Sequence, residues 1–186
     1  MNKTFSKWKV ELLHNYLRKD AKVLDVGSGF GKLADCLPDK SNYIGLELNK
    51  SLVEKGVKDG LNIIHHDVMF RFPLEDNSVS VVFISHLLEH FLPREQLEIM
   101  QEVYRVLDKG GKVLIFCPAY HPFFYDEWSH VRPHTGDSLK VLANESNLLT
   151  VTLKYSFLRK LSQDWQHKLR WFLRPLLWEI FGVFEK

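Results

Sequence analysis

A short apolar run that ends in a glycine-rich turn constrains the fold of this chain more than any other feature. Residues 22–26 have the sequence Lys-Val-Leu-Asp-Val, and residues 27–31 continue as Gly-Ser-Gly-Phe-Gly. An apolar run of this length bounded by glycines is typical of a strand buried on both faces. Glycines let the chain turn sharply and let a ligand approach the backbone closely. We therefore expect a strand, a ligand-binding turn and a helix, which together open a βαβ unit.

The rest of the chain alternates predicted strands with predicted helices. Apolar and β-branched runs predict further strands at 43–47, 62–65, 79–84, 112–116, 148–155 and 180–185. Helical periodicity predicts helices within 1–20 and at 32–37, 51–58, 93–107, 136–146 and 161–173, with a glycine turn at 108–111. This alternation predicts an α/β fold, a doubly wound, mostly parallel seven-stranded sheet with helices on both faces. No internal repeat or linker interrupts it, so residues 1–186 are predicted to form one domain.

Composition excludes several classes of protein. With 186 residues, 45% of them hydrophobic and 26% charged, the chain has the make-up of an ordinary globular domain. A net charge of +2 is too small to indicate a nucleic-acid surface. The two cysteines, Cys36 and Cys117, have no metal-binding spacing and form no disulfide framework. Without a signal peptide in residues 1–20 or a membrane-spanning stretch, a cytoplasmic location is expected.

The spacing of the glycines indicates which nucleotide the turn can bind. Its pattern is Gly-x-Gly-x-Gly, and Lys32 stands where the dinucleotide fingerprint has its third glycine. This favours a nucleoside ligand without a pyrophosphate. Glu47 closes the second strand, where a carboxylate can accept hydrogen bonds from both ribose hydroxyls and would repel a 2′-phosphate. The alternative interpretation is a purely structural turn with a solvent-facing glutamate.

An ordered set of segments resembles class I S-adenosylmethionine (SAM)-dependent methyltransferases. The matching segments are residues 23–31 as motif I, 43–47 as the second motif, 66–68 after strand three, 72–78 before strand four, 87–90 after it, and 103–111 before strand five. Together they cover roughly residues 20 to 118 in the family's order, which is far more specific than any single motif.

The resemblance implies the Rossmann-like methyltransferase fold, SAM as cofactor and methyl transfer to a small-molecule or lipid- or sugar-like acceptor. It places the glycine turn and the residues after strand four beside the methionine part of SAM, and an acidic residue after strand three at the adenine amino group. The SAM-binding residues so implied are Asp25, Gly27, Ser28, Gly29, Gly31, Glu47, Leu48, Asp67, Val68, Ser85 and His86.

Methyl transfer from a sulfonium needs positioning more than acid–base catalysis, so no catalytic dyad is required. His86 and His90 are four residues apart and would share one face of a helix. Metal ligation there lacks an evident third ligand, so no metal site is expected. For His90 we favour a hydrogen bond to a loop over a catalytic role.

The loop at 117–134 is rich in aromatic residues and histidines and follows strand five, at the edge where an acceptor would bind. Its aromatic side chains either form walls around a flat or apolar acceptor or plug the end of the sheet, and the sequence leaves both interpretations open. His121 and His130 are the candidates for a general base. Thr135 is expected to cap the next helix.

A late segment, residues 157–178, is interpreted as a second acceptor-site or lid segment. It carries an apolar stripe among basic residues. We favour packing on the sheet or a lid, and the minority hypothesis is peripheral membrane contact through the helix around 163–178. The oligomeric state is not indicated.

Three other functions compete with methyl transfer. A non-catalytic module or partner subunit that only binds SAM or S-adenosylhomocysteine would show the same loop and Glu47. Nucleic-acid methylation is disfavoured because residues 85–88 lack the Asn/Asp-Pro-Pro-Tyr/Phe motif of nucleobase amino-methyltransferases. An NAD-dependent oxidoreductase is disfavoured by the glycine spacing.

Overall fold

Helices and strands alternate along the chain, as predicted. The computed structural model describes residues 7–120, 124–157 and 177–186. The strands are β1 Val23–Val26, β2 Tyr43–Glu47, β3 Ile63–His65, β4 Val79–Ser85, β5 Leu107–Pro118, β6 Leu149–Phe157 and β7 Leu177–Glu185. The α-helices are α1 Lys7–Tyr16, α2 Lys50–Lys58, α3 Pro93–Val106 and α4 Gly136–Glu145. Short 3₁₀ helices span Lys32–Cys36, Lys40–Asn42, Leu88–His90 and Phe124–Asp126.

The strands of the described residues form one sheet of seven in the order β3-β2-β1-β4-β5-β7-β6. The five strands from β3 to β5 are parallel, and β1 lies between β2 and β4, where Val23 pairs with both Tyr43 and Val81. Strand β7 runs antiparallel to both β5 and β6. The predicted doubly wound, mostly parallel α/β sheet is therefore confirmed, and the strand order reverses direction at β1 and β4, where such sheets bind ligands.

Apolar side chains form a core on each face of the sheet, so the prediction of helices on both faces is also confirmed. One core packs α3 and α4 against the sheet, with Met100, Val103 and Leu139 buried. The other packs α1 and the Lys32–Cys36 helix, with Leu13 and Leu33 buried. Because both faces are covered at the centre of the sheet, β1 and β4 are buried almost throughout rather than alternately. Within the described ranges, no helix combines the length and apolarity that crossing a membrane would need.

Three predicted elements differ from the structure or lie outside its described residues. The predicted turn at 108–111 is wrong, because β5 already begins at Leu107, opposite Val79, and includes both glycines. The pairing of β5 with β4 shifts register across them. Gly110 adopts a φ of 76° there and its N–H donates to the Lys186 carbonyl. The helix expected at 32–37 is a single 3₁₀ helix. The predicted helix at 161–173, and the possible membrane contact at 163–178, lie outside the described residues.

Helix α4 begins where the sequence predicts. Thr135 Oγ1 accepts from the Ser138 N–H at 3.2 Å, and Ser138 Oγ accepts from the Thr135 N–H at 2.9 Å. This reciprocal cap satisfies two donors at the helix start. It fixes the point where the loop after β5 re-enters the fold.

Candidate functional site

The carboxyl ends of β1, β2 and β4 bring the glycine turn, Glu47 and Ser85 to one edge of the sheet. Gly27 and Ser28 donate their N–H groups to the Leu46 carbonyl at 2.9 and 3.0 Å, which fastens the turn to β2. Glu47 Oε2 accepts from the Gly29 N–H at 2.8 Å. The glycine turn and Glu47, which the sequence assigns to the same ligand site, are thus in direct contact.

Two glycines of the turn are required for different reasons. Gly31 has a φ of +85°, and a Cβ there would lie 2.5 Å from Leu61 Cδ1. Gly29 has a φ of +58°, but a Cβ there would meet no atom within 4 Å. Packing thus demands a glycine at Gly31, whereas at Gly29 the bare backbone faces open space beside Glu47. A ligand can approach the chain closely at that point.

Asp25 lies beneath the turn rather than at its surface. Its side chain is 5% exposed and accepts a hydrogen bond from the Tyr43 hydroxyl at 3.0 Å. Burial raises the pKa of Asp25 to about 7, although the Tyr43 hydrogen bond lowers it, and the charge of Glu47 raises it further. The structure thus places Asp25 as a buried support of the turn.

A further glycine that the sequence analysis missed makes room for the turn. A Cβ on Gly45 would lie 2.6 Å from Ser28 Oγ. The pairing of Gly45 with Asp25 in the parallel ladder puts it directly under the turn. A glycine inside an otherwise apolar strand was the available signal, because such glycines mark close approach of another segment.

The segment after β3 lies next to Glu47, because His66 donates its N–H to the Glu47 carbonyl at 2.9 Å. Asp67 is half-buried and accepts from the Met69 N–H at 3.0 Å. Leu48 is 61% exposed, whereas Val68 is buried in the core and can offer a ligand only its backbone. Glu47, Leu48 and Asp67 therefore stand together at this end of the site.

Ser85 and His86 follow at the end of β4. His86 has a φ of 54° and donates its N–H to the Phe116 carbonyl at 2.9 Å. The expected shared helical face of His86 and His90 is wrong, because His86 precedes the 3₁₀ helix in which His90 lies. The His86 ring instead places Nε2 2.9 Å from Glu179 Oε1.

Glu179 is a residue that the sequence analysis did not identify. It is buried on β7 and also forms an ion pair with Lys9 of α1. Burial alone would lower the pKa of His86, but the contacts with Glu179 and Glu89 outweigh it and raise the pKa to about 9. Burial would raise the pKa of Glu179, but its hydrogen bond from His86 and the nearby Lys9 hold it below its usual value. His86 is therefore a cation at neutral pH, and no local sequence pattern could have paired it with Glu179.

His90 and His130 approach each other from two different loops. His90 Nδ1 lies 3.1 Å from the Ser129 carbonyl, as expected of a histidine that is hydrogen-bonded to a loop. His130 Nδ1 lies 2.8 Å from the Phe124 carbonyl. The centroids of the two imidazole rings are 5.1 Å apart. His121, the other predicted base, lies outside the described residues.

The aromatic residues of the loop after β5 divide into two groups. Phe124 is buried and packs on the His130 ring at a centroid distance of 4.5 Å. Tyr120, Tyr125 and Trp128 are 65%, 62% and 91% exposed. The burial of Phe124 is consistent with the plug interpretation, and the three exposed rings leave the interpretation as an acceptor wall open.

Comparisons with known proteins agree with this geometry. The family described as methyltransferase domain matches residues 24–115. The chain is 34% identical over 125 residues to a demethylmenaquinone methyltransferase of Bacillus pumilus, covering 60% of this chain and 52% of the relative. It is 29% identical over 129 residues to the ubiquinone/menaquinone biosynthesis C-methyltransferase UbiE of Rhizobium meliloti, covering 60% and 49%. The chain spans about half the length of these curated relatives.

Solved structures show the same fold. A SAM-dependent methyltransferase from Archaeoglobus fulgidus superposes with a TM-score of 0.75 at 19% sequence identity, covering 97% of this chain and 92% of that one. At this identity the likeness shows the architecture and leaves the chemistry to the site residues.

Proposed function

Since the chain belongs to the class I SAM-dependent methyltransferases, we propose that it binds SAM and transfers the methyl group to a small, flat or apolar acceptor. The observation that carries the proposal is the hydrogen bond from the Gly29 N–H to Glu47 at 2.8 Å. This contact supports the proposal because it holds the Glu47 carboxylate, which would accept from two ribose hydroxyls, directly beside the bare backbone of Gly29.

The residues present fit this cofactor. Glu47 would accept from the ribose, and Asp67 would receive the adenine amino group through the carboxylate oxygen that Met69 does not use. The exposed Leu48 supplies an apolar surface for the base. Gly27, Ser28, Gly29 and Gly31 of the turn, with Ser85 and His86 after β4, would hold the methionine part. Asp25 would support the glycine turn from beneath, and Val68 would contribute only its backbone.

SAM supplies a methyl group already activated on a sulfonium, so the chain's own task is to orient two reactants and exclude water. His86 is positively charged in its contacts with Glu179 and Glu89, which makes it a poor base and a suitable partner for a carboxylate. His121 and His130 stay the proposed candidates for a base. Of these, His130 lies at the acceptor side, after β5.

For the acceptor we propose a hydroquinone-type ring. The exposed Tyr120, Tyr125 and Trp128 support this, because aromatic side chains at the sheet edge suit a flat, apolar ring. One curated relative is named demethylmenaquinone methyltransferase, and the other is named ubiquinone/menaquinone biosynthesis C-methyltransferase. The proposed acceptor class rests on these two supports.

The test is acceptor-dependent formation of S-adenosylhomocysteine. The protein would be incubated with SAM and a short-chain demethylmenaquinol, with a sugar and a fatty acid as comparison acceptors. The proposal expects S-adenosylhomocysteine only with the quinol. Turnover with another acceptor would overturn the proposed substrate class. Binding of SAM without turnover on any acceptor would support the alternative of a non-catalytic SAM-binding module.

A further inference from the structure

Three potential metal ligands meet where the loop after β5 that carries His130, here called the acceptor loop, approaches the end of β4. One donor atom from each of Glu89, His90 and His130 lies within 4.8 Å of the other two. Glu89 and His90 belong to the 3₁₀ helix after β4, and His130 comes from the loop after β5. Two separate segments of the fold therefore deliver two imidazoles and one carboxylate to one point.

Both imidazoles are oriented as metal ligands are. A carbonyl oxygen can only accept, so His90 Nδ1 donates to Ser129 and His130 Nδ1 donates to Phe124. In the neutral rings, the lone pair is then on Nε2 of each. A metal-bound histidine characteristically donates its other ring nitrogen to a carbonyl or carboxylate in this way. These two tautomers thus leave the Nε2 lone pair of each ring as the one that can bind a metal ion.

The carboxylate lacks hydrogen bonds. Glu89 is fully buried, and neither of its carboxylate oxygens has a hydrogen-bond partner among the described residues. His86 Nδ1 lies 3.3 Å from Glu89 Oε1 without hydrogen-bond geometry, so Glu89 has a cationic neighbour but accepts no hydrogen bond among the described residues. Buried polar groups are normally hydrogen-bonded, and a metal ion would satisfy the oxygen lone pairs that His86 leaves unused.

We propose that Glu89, His90 and His130 form a binding site for a divalent transition-metal ion. Imidazole nitrogens with one carboxylate suit Zn²⁺, Fe²⁺ or Co²⁺ better than Mg²⁺ or Ca²⁺, which prefer oxygen ligands. Donors around a tetrahedral Zn²⁺ at about 2.1 Å lie about 3.4 Å apart, so donor atoms that are up to 4.8 Å apart here need to approach by up to about 1.4 Å. Three protein ligands leave at least one coordination position open.

The open coordination position would let the ion bind the acceptor, and this role of the metal site rests on the proposed function. The site lies at the carboxyl edge between Ser85 of β4 and the acceptor loop, so the ion can bind an oxygen of the acceptor. Metal coordination and general-base catalysis both need the Nε2 lone pair of His130. The two roles of His130 therefore exclude each other, and metal binding distinguishes them.

The experiment measures metal binding directly, without SAM or acceptor. The full chain, freed of metal by dialysis against a chelator, would be titrated with Zn²⁺ by calorimetry and with Co²⁺ by visible absorption. We expect about one ion per chain, with a Co²⁺ spectrum typical of nitrogen and oxygen ligands. His130→Gln and Glu89→Gln should each weaken binding at least a hundredfold, since changes even outside the ligand set cost about 10- to 100-fold.

His14→Gln is the matched control, because His14 is an exposed histidine of α1 outside the cluster, and it should bind Zn²⁺ as the wild type does. Wild-type binding in both His130→Gln and Glu89→Gln, or no binding by the folded wild type, would overturn the site. If Glu89→Gln does not fold, His130→Gln on the loop decides. A parallel SAM titration distinguishes failure of the metal site from failure of the proposed function, because SAM binding depends on Glu47 and the glycine turn and not on the metal ligands.

Discussion

At the scale of single residues, the site depends on one carboxylate. Glu47 Oε2 accepts from Gly29 and Oε1 accepts from Asn49 at 2.7 Å, so two backbone donors orient the group at the end of β2. Both carboxylate oxygens retain lone pairs for further donors. This pre-orientation means that a ligand does not have to order the side chain on binding.

Replacing Glu47 should weaken SAM binding strongly. Glu47→Ala removes charge-assisted hydrogen bonds of about 1.5–3 kcal/mol, which predicts at least a tenfold loss of affinity. Gly29→Val should have a similar effect, because its side chain would enter the open space beside Glu47. Calorimetric titration measures both. Glu54→Ala, an exposed glutamate of α2, is the control, and wild-type affinity in both site variants would contradict the proposed site.

The buried Asp25 predicts a pH-dependent stability. Its pKa is about 7 in the folded protein against 3.8 for the free group, so the folded state holds the proton more tightly. The contribution of Asp25 to the free energy of unfolding should therefore fall as pH rises from about 4 to about 7, by about 1.4 kcal/mol per pH unit, and level off above that. Asp25→Asn should remove this contribution.

Urea unfolding of wild type and Asp25→Asn at a series of pH values isolates the effect of Asp25. The difference between the two curves should favour the variant increasingly up to about pH 7. Asp59→Asn, an exposed aspartate after α2, should follow the wild-type curve. A pH-independent difference for Asp25→Asn would mean that this carboxyl is not protonated in the folded protein near neutral pH.

At the scale of elements, local sequence patterns correctly predicted the strands, turns and caps that depend on contacts between residues close in sequence. The first strands, the glycine turn and the cap at Thr135 depend on neighbours in sequence, and the structure has them where expected. The start of β5 was missed because Gly110 and Gly111 indicate a turn, whereas Leu107 already pairs with Val79 of β4 and the two glycines hydrogen-bond to Lys186. Tertiary pairing overrides local propensity in such cases.

The cap of α4 can be tested by a conservative pair of variants. Thr135→Ala removes the acceptor of the Ser138 N–H and should destabilise the protein by about 1 kcal/mol. Thr135→Ser keeps the hydroxyl and should cost much less. Urea denaturation midpoints measure both, and equal losses in the two variants would show that the hydroxyl does not cap the helix.

At the scale of the whole molecule, distant segments complete the site. Glu179 reaches His86 because β7 inserts between β5 and β6, and His130 reaches His90 because two loops end at the same sheet edge. The strand alternation predicted the sheet and its ligand edge. These particular pairings follow only from the three-dimensional packing, since each joins residues far apart in sequence.

Helix α1 should be an integral part of this packing. Leu13 is fully buried in the core on one face of the sheet, so Leu13→Ala should cost about 2–5 kcal/mol in the free energy of unfolding. Leu149→Ala, at a side chain that is 70% exposed on β6, should change it by no more than about 0.5 kcal/mol. If thermal or urea unfolding gave similar values for the two variants, α1 would not contribute to the core as described.

Calorimetric titration determines whether the glycine turn and Glu47 hold SAM. The purified chain would be titrated in turn with SAM, S-adenosylhomocysteine and NAD. We expect saturable binding of about micromolar affinity for the two adenosyl compounds and none for NAD, because the turn lacks the third glycine of a pyrophosphate cradle. Failure of SAM and S-adenosylhomocysteine to bind the folded chain would contradict the proposed SAM site.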